Sequence, residues 1–229
     1  AITPAGYLRS AQNRDGGFGG APGEASSQLY SGWVALGLAA EGLNPGQVTN
    51  GGAGVVDYLR AGAGSDTDPG ALERTILAAR AAGLSPASFG GRDLLAALEG
   101  EIHPDGSVSG QTNLTAFAVL ALRAAGVAPA TKTLSWLVRQ QDRDGGFNFA
   151  TAGGASDVDD TGAVLEALSG VPGSGAAHAR SRAIGFIRSQ QDSDGGFPSA
   201  PGAGSNAQST AWAIQGWIAH AVDWALEPA

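Results

Sequence analysis

Two kinds of apolar segment alternate along the chain. In the first kind the apolar residues form a stripe and a glycine turn follows. Residues Phe186 to Phe197 read Phe-Ile-Arg-Ser-Gln-Gln-Asp-Ser-Asp-Gly-Gly-Phe, which nearly repeats Trp136 to Phe147. Tyr7 to Phe18 is a third copy, and a worn fourth runs from Leu94 through Asp105, Gly106 and Ser107. In the second kind nearly every position is apolar. Thr115 to Leu122 lines up with Ser31 to Leu38, Thr161 to Leu168 and Thr210 to Trp217. A fifth such segment aligns through Arg80 to Gly83, which matches Arg123 to Gly126 and places Leu72 at the Ser/Thr position.

The equivalent positions 31, 72, 115, 161 and 210 are 41, 43, 46 and 49 residues apart, the period of a helix pair with its connections. A striped helix lies on a surface, and a helix apolar on every side is buried. The Asp-Gly-Gly glycines supply the positive φ that ends the first helix of each pair. The pattern predicts an all-α protein with inner and outer helical layers, built from five helix-hairpin repeats over 1–43, 52–84, 92–127, 132–170 and 180–222. Residues 1–229 form one domain on this reading, and the tail from Asp223 to Ala229 leaves room for the start of a sixth hairpin.

Composition narrows the chemistry. The net charge is −8, and no basic stripe exists to hold nucleic acid. No apolar run is long enough for a transmembrane segment. Cysteine is absent, which removes thiolate nucleophiles, disulfides and thiolate-bound zinc. Methionine is absent too; removal of a signal peptide is one explanation and trimming another, and a secreted protein is the expectation. The 37 glycines punctuate helical windows and do not form a low-complexity tract.

The spacing aromatic-x-x-x-Gln to Gly-x-Phe at Phe186, Gln190, Gly195 and Phe197, repeated at Trp136, Gln140, Gly145 and Phe147, resembles the repeat of squalene–hopene cyclases and protein prenyltransferases. The resemblance covers essentially the whole chain. It implies an α/α toroid in which Gln140 and Gln190 tie neighbouring helix ends together beside Phe147 and Phe197. The prenyltransferase zinc site needs a cysteine, so that activity is not implied.

Asp157-Val158-Asp159-Asp160-Thr161 has the Asp-x-Asp-Asp-Thr form of the acid motif in class II terpene cyclases. That resemblance implies a catalytic set of Asp157, Asp159 and Asp160, with Asp159 protonating an isoprenoid. Crowded, poorly solvated carboxylates raise the pKa of one member, whereas a helix N-terminus lowers it. Carboxylates also cap helices, and Asn113, Gln208 and Ser209 hold corresponding places in other repeats. Both readings stand. Two residues after the Ser/Thr position lie Trp33, Phe117 and Trp212. These rings either line an apolar cavity suited to an isoprenoid substrate or a carbocation, or fill the core.

Asp142-x-Asp144-Gly and Asp192-x-Asp194-Gly lack the glutamate that completes a calcium loop, and the three histidines are scattered. No metal and no cofactor is expected. The functional expectation is proton-initiated cyclisation of an isoprenoid, completed by a second helical domain or a partner chain. The alternatives are a secreted toroid binding a small apolar or cobalamin-like ligand, and an interaction module.

Overall fold

The structure, a computed structural model of the chain, describes the backbone of residues 2–226 and the side chains of residues 2–221. Ten α-helices are present among the described residues, in five consecutive pairs. They are α1 (Pro4–Ala11) with α2 (Gln28–Ala40), α3 (Val55–Gly62) with α4 (Pro69–Ala81), and α5 (Leu94–Gly100) with α6 (Thr112–Ala124). The last two pairs are α7 (Thr131–Arg139) with α8 (Val158–Leu168), and α9 (Ser174–Ser189) with α10 (Ala207–Leu226). The only named strands there, β1 (Phe197–Pro198) and β2 (Ser205–Asn206), form one antiparallel pair. Asp223 to Leu226 continue α10 and begin no new helix, and the remainder of the expected sixth hairpin, from Glu227 to Ala229, lies outside the described residues.

The connection inside four of the pairs follows one design, and it corrects the expected helix stop. The outer helices α1, α7 and α9 end at or just before the first glutamine position, several residues ahead of Asp-Gly-Gly. The glycine serves a tight turn that comes later. Gly145 N–H donates to Asp142 O (3.1 Å) and Asp142 N–H to Gly146 O (2.9 Å), and the same pair of bonds closes the turns at Gly16, Gly106 and Gly195. The aspartate accepts the N–H two residues on: Gly17 to Asp15, Ser107 to Asp105, Gly146 to Asp144 and Gly196 to Asp194, all between 2.9 and 3.0 Å. Gly145 sits at φ 97°, and a Cβ there would come within 2.8 Å of Arg182 O on α9. A side chain is excluded both by conformation and by space.

After the turn, the chain is clasped to the next helix. Phe18, Val108, Phe147 and Phe197 each donate their N–H, at 2.9 Å, to the hydroxyl of Ser31, Thr115, Thr161 and Thr210 respectively. The Ser/Thr position of the repeat is thus a hydrogen-bond acceptor, and Ser31, Thr115 and Thr161 are fully buried. Leu72 cannot make this bond, and the second pair has no Asp-Gly-Gly turn.

The expected glutamine ties also need correcting. Gln140 Nε2 donates to Trp136 O of its own helix (3.1 Å), and Gln190 Nε2 to the adjacent Ser189 Oγ. The bridging residue is the next one along. Gln141 Nε2 donates to Gly145 O (2.9 Å) and to Ala179 O of α9 (2.7 Å), and Gln12 Nε2 to Gly16 O (2.9 Å) and Val48 O (3.3 Å).

The chain divides into two compact bodies, 1–101 with 121–127 and 102–120 with 128–229, so α6 contributes to both. In the first body α2 packs on α3 and α4, and α4 on α5. Its core holds Phe18, Leu38, Leu59, Leu72, Ile76, Phe89, Leu94 and Leu98. In the second, α8 packs on α9 and α10, around Phe147, Val158, Leu165, Leu168, Phe186, Ile187 and Phe197. The helix α8 is buried over most of its circumference, as its composition predicts. The helices α2 and α10 are not: Leu29, Tyr30 and Trp33 of the one and Ile214 and Ile218 of the other stay exposed.

The clasp and the bridge give one stability prediction. Thr161→Val keeps the shape of the side chain but leaves the Phe147 N–H buried without an acceptor, and should cost about 1–3 kcal/mol. Gln141→Ala should cost more than Gln140→Ala. Chemical denaturation midpoints of the three variants check both statements.

Candidate functional site

The three aspartates of the sequence motif occupy different places at the start of α8. Asp157 is the helix N-cap, with extended backbone, and its Oδ1 accepts the Asp160 N–H at 2.7 Å. Ser27 and Asn206 occupy the same position in their repeats and accept from Tyr30 N–H and Ser209 N–H. Asp157 therefore does what the repeat requires of any residue there. Asp159 and Asp160 lie in the first turn of α8, and neither is needed as the cap.

Burial dominates the electrostatics. Desolvation pushes the Asp160 carboxyl up to about 8; the Asp157 charge, a hydrogen bond to Asp157 and the Asp159 charge push the same way. Asp157 is raised too, first by desolvation, against the opposing pull of its hydrogen bonds with Asp160. The two carboxyls share a proton that resides on Asp160. Desolvation and the neighbouring carboxylates win over the helix N-terminus, which favours the ionised form.

Asp159 is held from the neighbouring helix. Its Oδ2 accepts from Gln208 Nε2 of α10 at 2.9 Å, while Oδ1 is buried and makes no hydrogen bond. Gln208 stands two residues before Thr210, as Asp159 stands two before Thr161, so the repeat alignment alone already paired these positions. One turn further along the same helix faces come Ala163 and Trp212. Phe117 of α6 and Trp212 of α10 meet edge to face, with ring centroids 5.7 Å apart and planes at 85°. The equivalent position on the intervening helix α8 is the small, buried Ala163. Trp33 stands at the equivalent position of α2, in the first body, and is 40% exposed.

The first body holds a buried carboxyl that the sequence did not single out. Glu73 on α4 is 1% exposed, its Oε1 has no hydrogen-bond partner, and burial raises its pKa well above the usual carboxylate value. A signal was available: a charged residue in an otherwise buried helix. Among the described residues no three His, Cys, Asp or Glu side chains gather as a metal site. Asp142 is instead surrounded by donors from Asn148, Gly153 and Ser156. No described helix is long and apolar enough to cross a membrane.

A family model described as the prenyltransferase alpha-alpha toroid domain matches residues 3–50 and 67–219. The chain belongs to that family. Its fold is all-α, of the α/α toroid class, and the unmatched residues 51–66 cover α3 and the connection that lacks the Asp-Gly-Gly turn. Among solved structures, the toroid is similar to a glycosidase variant in complex with glucose, at 19% identity and a TM-score of 0.54 over 93% of this chain and 71% of that one. That likeness shows the fold alone. No curated protein matches the chain.

Asp160 and Glu73 both have folded pKa values above their unfolded ones. Each contributes stability that is complete below the ordinary carboxylate range and is lost as pH rises through the folded value. Asp160→Asn removes the ionisation and keeps a hydrogen-bond donor. It should stabilise the protein by up to about 4 kcal/mol at neutral pH, with a gain that grows from about pH 4 and levels off near pH 8. Glu73→Leu should stabilise in the same direction over the same lower limit. Thermal unfolding at a series of pH values reads both.

Proposed function

We propose that the toroid cyclises an isoprenoid by protonation, with Asp159 as the proton donor and Asp160 as the group that recharges it. The observation that carries this reading is the Oδ1 of Asp159, buried and unpartnered while Gln208 holds Oδ2, beside an Asp160 carboxyl that desolvation and Asp157 raise to about 8. Capping accounts for Asp157, but not for the buried carboxyl of Asp160 or the unpartnered Oδ1 of Asp159. Gln208 fixes the orientation of Asp159 by its hydrogen bond to Oδ2, so Oδ1 is the oxygen from which a proton leaves.

The reaction balances without a cofactor. The proton held by Asp160 passes through Asp159 Oδ1 to the π electrons of a terminal alkene, or to an epoxide oxygen whose C–O bond then breaks. Cationic charge develops at the more substituted carbon, and successive double bonds attack it to close rings. The last cation loses a proton to water. Solvent then reprotonates Asp160, and the relay is ready for the next substrate. The electron-rich faces of Phe117 and Trp212 stabilise a passing carbocation. Activity on this account falls as pH rises past about 8, where Asp160 ionises.

The test is turnover of linear polyprenyl substrates and their terminal epoxides. Wild-type protein should yield cyclic products, and Asp159→Asn should lower the rate by about 10²–10⁴-fold, the usual worth of a general acid, with an unchanged unfolding midpoint. Ligand-induced stabilisation without any product in the wild type would replace the enzyme reading with that of a binding toroid.

A further inference from the structure

An aspartate or asparagine that precedes glycine can react with its own main chain. The glycine nitrogen attacks the side-chain carbonyl carbon, and glycine hinders that approach least. The sequence holds five such pairs: the Asp-Gly pairs of the repeat turns, at Asp15, Asp105, Asp144 and Asp194, and Asn50-Gly51. Of the six asparagines, only Asn50 precedes a glycine.

The structure separates the four from the fifth. In every repeat turn the nucleophile is engaged: Gly16, Gly106, Gly145 and Gly195 donate their N–H to main-chain carbonyls at 2.9–3.1 Å. The four aspartates are engaged as well, each accepting the N–H two residues on. At Asn50 neither group is held. Among the described residues Gly51 N–H meets no acceptor and Asn50 Oδ1 no donor. Asn50, Gly51 and Gly52 are exposed in the bend that joins the bridged residues Thr49 and Gly54, and Gly51 sits at φ 72°. Water reaches the pair, and two successive glycines leave its backbone free to turn.

The same bend holds the end of α1. Asn50 Nδ2 donates to the carbonyl of Gln12, the C-cap of α1, at 3.3 Å. Gln12 Nε2 donates to Val48 O at 3.3 Å, and Ala53 N–H to Arg14 O at 3.4 Å. A Cβ on Gly52 would come within 2.4 Å of Arg14 O, so the two main chains meet without slack. The helix α1 buries no residue of its own, and the contact at its C-terminal end is what fixes it.

We propose that Asn50 deamidates spontaneously in the folded protein and that the change loosens α1 from the second repeat. The Gly51 nitrogen loses its proton to water or hydroxide and bonds to Asn50 Cγ. Nδ2 leaves as ammonia, and a five-membered succinimide remains. Water opens that ring at either carbonyl, giving aspartate or isoaspartate. In sum, water is consumed, ammonia is released and the chain gains one negative charge. A carboxylate oxygen then stands where a donor faced Gln12 O, acceptor against acceptor. In the isoaspartate an additional methylene enters the main chain beside Gly52. The change is independent of any chemistry at Asp159.

Peptide mapping by mass spectrometry tests the site, on the full chain incubated at mildly alkaline pH, native and in denaturant. Digestion at acid pH prevents further conversion. Asn50 should convert in the native protein within about threefold of its rate in the denatured chain, because an exposed bend needs no opening. The four Asp-Gly pairs should be slower in the native protein by about 10²-fold or more, since they react only when their turns open. Asn50 that persists in the native protein while the denatured chain converts would overturn the site, as would isoaspartate arising first in a repeat turn. Hydrogen exchange of the deamidated chain, separated by anion exchange on its added charge, tests the consequence. Amides from Tyr7 to Gln12 should exchange faster by about tenfold or more, while those of α8 keep their protection. Asn50→Gln, which cannot close the five-membered ring, should show the same α1 exchange before and after incubation. Unchanged α1 exchange in the deamidated chain would contradict the loosening.

Discussion

A side-chain hydroxyl that accepts one main-chain N–H from the preceding turn fixes where each inner helix begins in four of the five repeats. Ser31, Thr115, Thr161 and Thr210 are buried or nearly so, and each receives the N–H of the residue that follows the turn. A donor in such a place without its acceptor would cost more than the bond itself is worth, so the registration of turn and helix is tightly held. The tight turn upstream, with its aspartate and its positive-φ glycine, delivers that N–H at the right point. In the fourth repeat the same clasp, through Thr161, sets the three aspartates of α8: one at the cap, two in the first turn.

Much of this is legible in the amino-acid sequence. The period, the alternation of striped and wholly apolar segments, and the recurrence of Asp-Gly-Gly gave five helix pairs, and ten helices in that order are present among the described residues. What the sequence did not disclose is which polar atom meets which. Two adjacent glutamines, Gln140 and Gln141, differ only by the direction in which they leave the helix end, and the second, not the first, reaches α9. The helix stop was misplaced for a related reason: a glycine with positive φ ends a helix or closes a turn equally well, and spacing does not separate the two. Trp33 illustrates the opposite limit. Its register position follows from the repeat alignment, but its 40% exposure does not.

The aspartate cluster shows why motif and architecture were hard to tell apart. At Asp157 they coincide, because any good N-cap residue would serve there and aspartate is one. The distinction appears one turn later. Burial raises Asp160 against the helix dipole, and Asp159 is tied by one oxygen to Gln208 while the other is left without a partner. Structural economy does not favour either arrangement, since a buried ionisable group costs stability unless it is paired or neutral. Residues that lower stability without a packing gain are the expected marks of a working site.

The proton on Asp160 is the point on which the account turns. Nuclear magnetic resonance of protein labelled with ¹³C at the aspartate carboxyls, titrated across pH and assigned by comparison with Asp160→Asn, observes it directly. The account predicts one carboxyl that remains protonated through neutral pH and ionises near the value of about 8 to which burial and Asp157 raise it. Ionisation of all three aspartates of the cluster within the ordinary carboxylate range would contradict it.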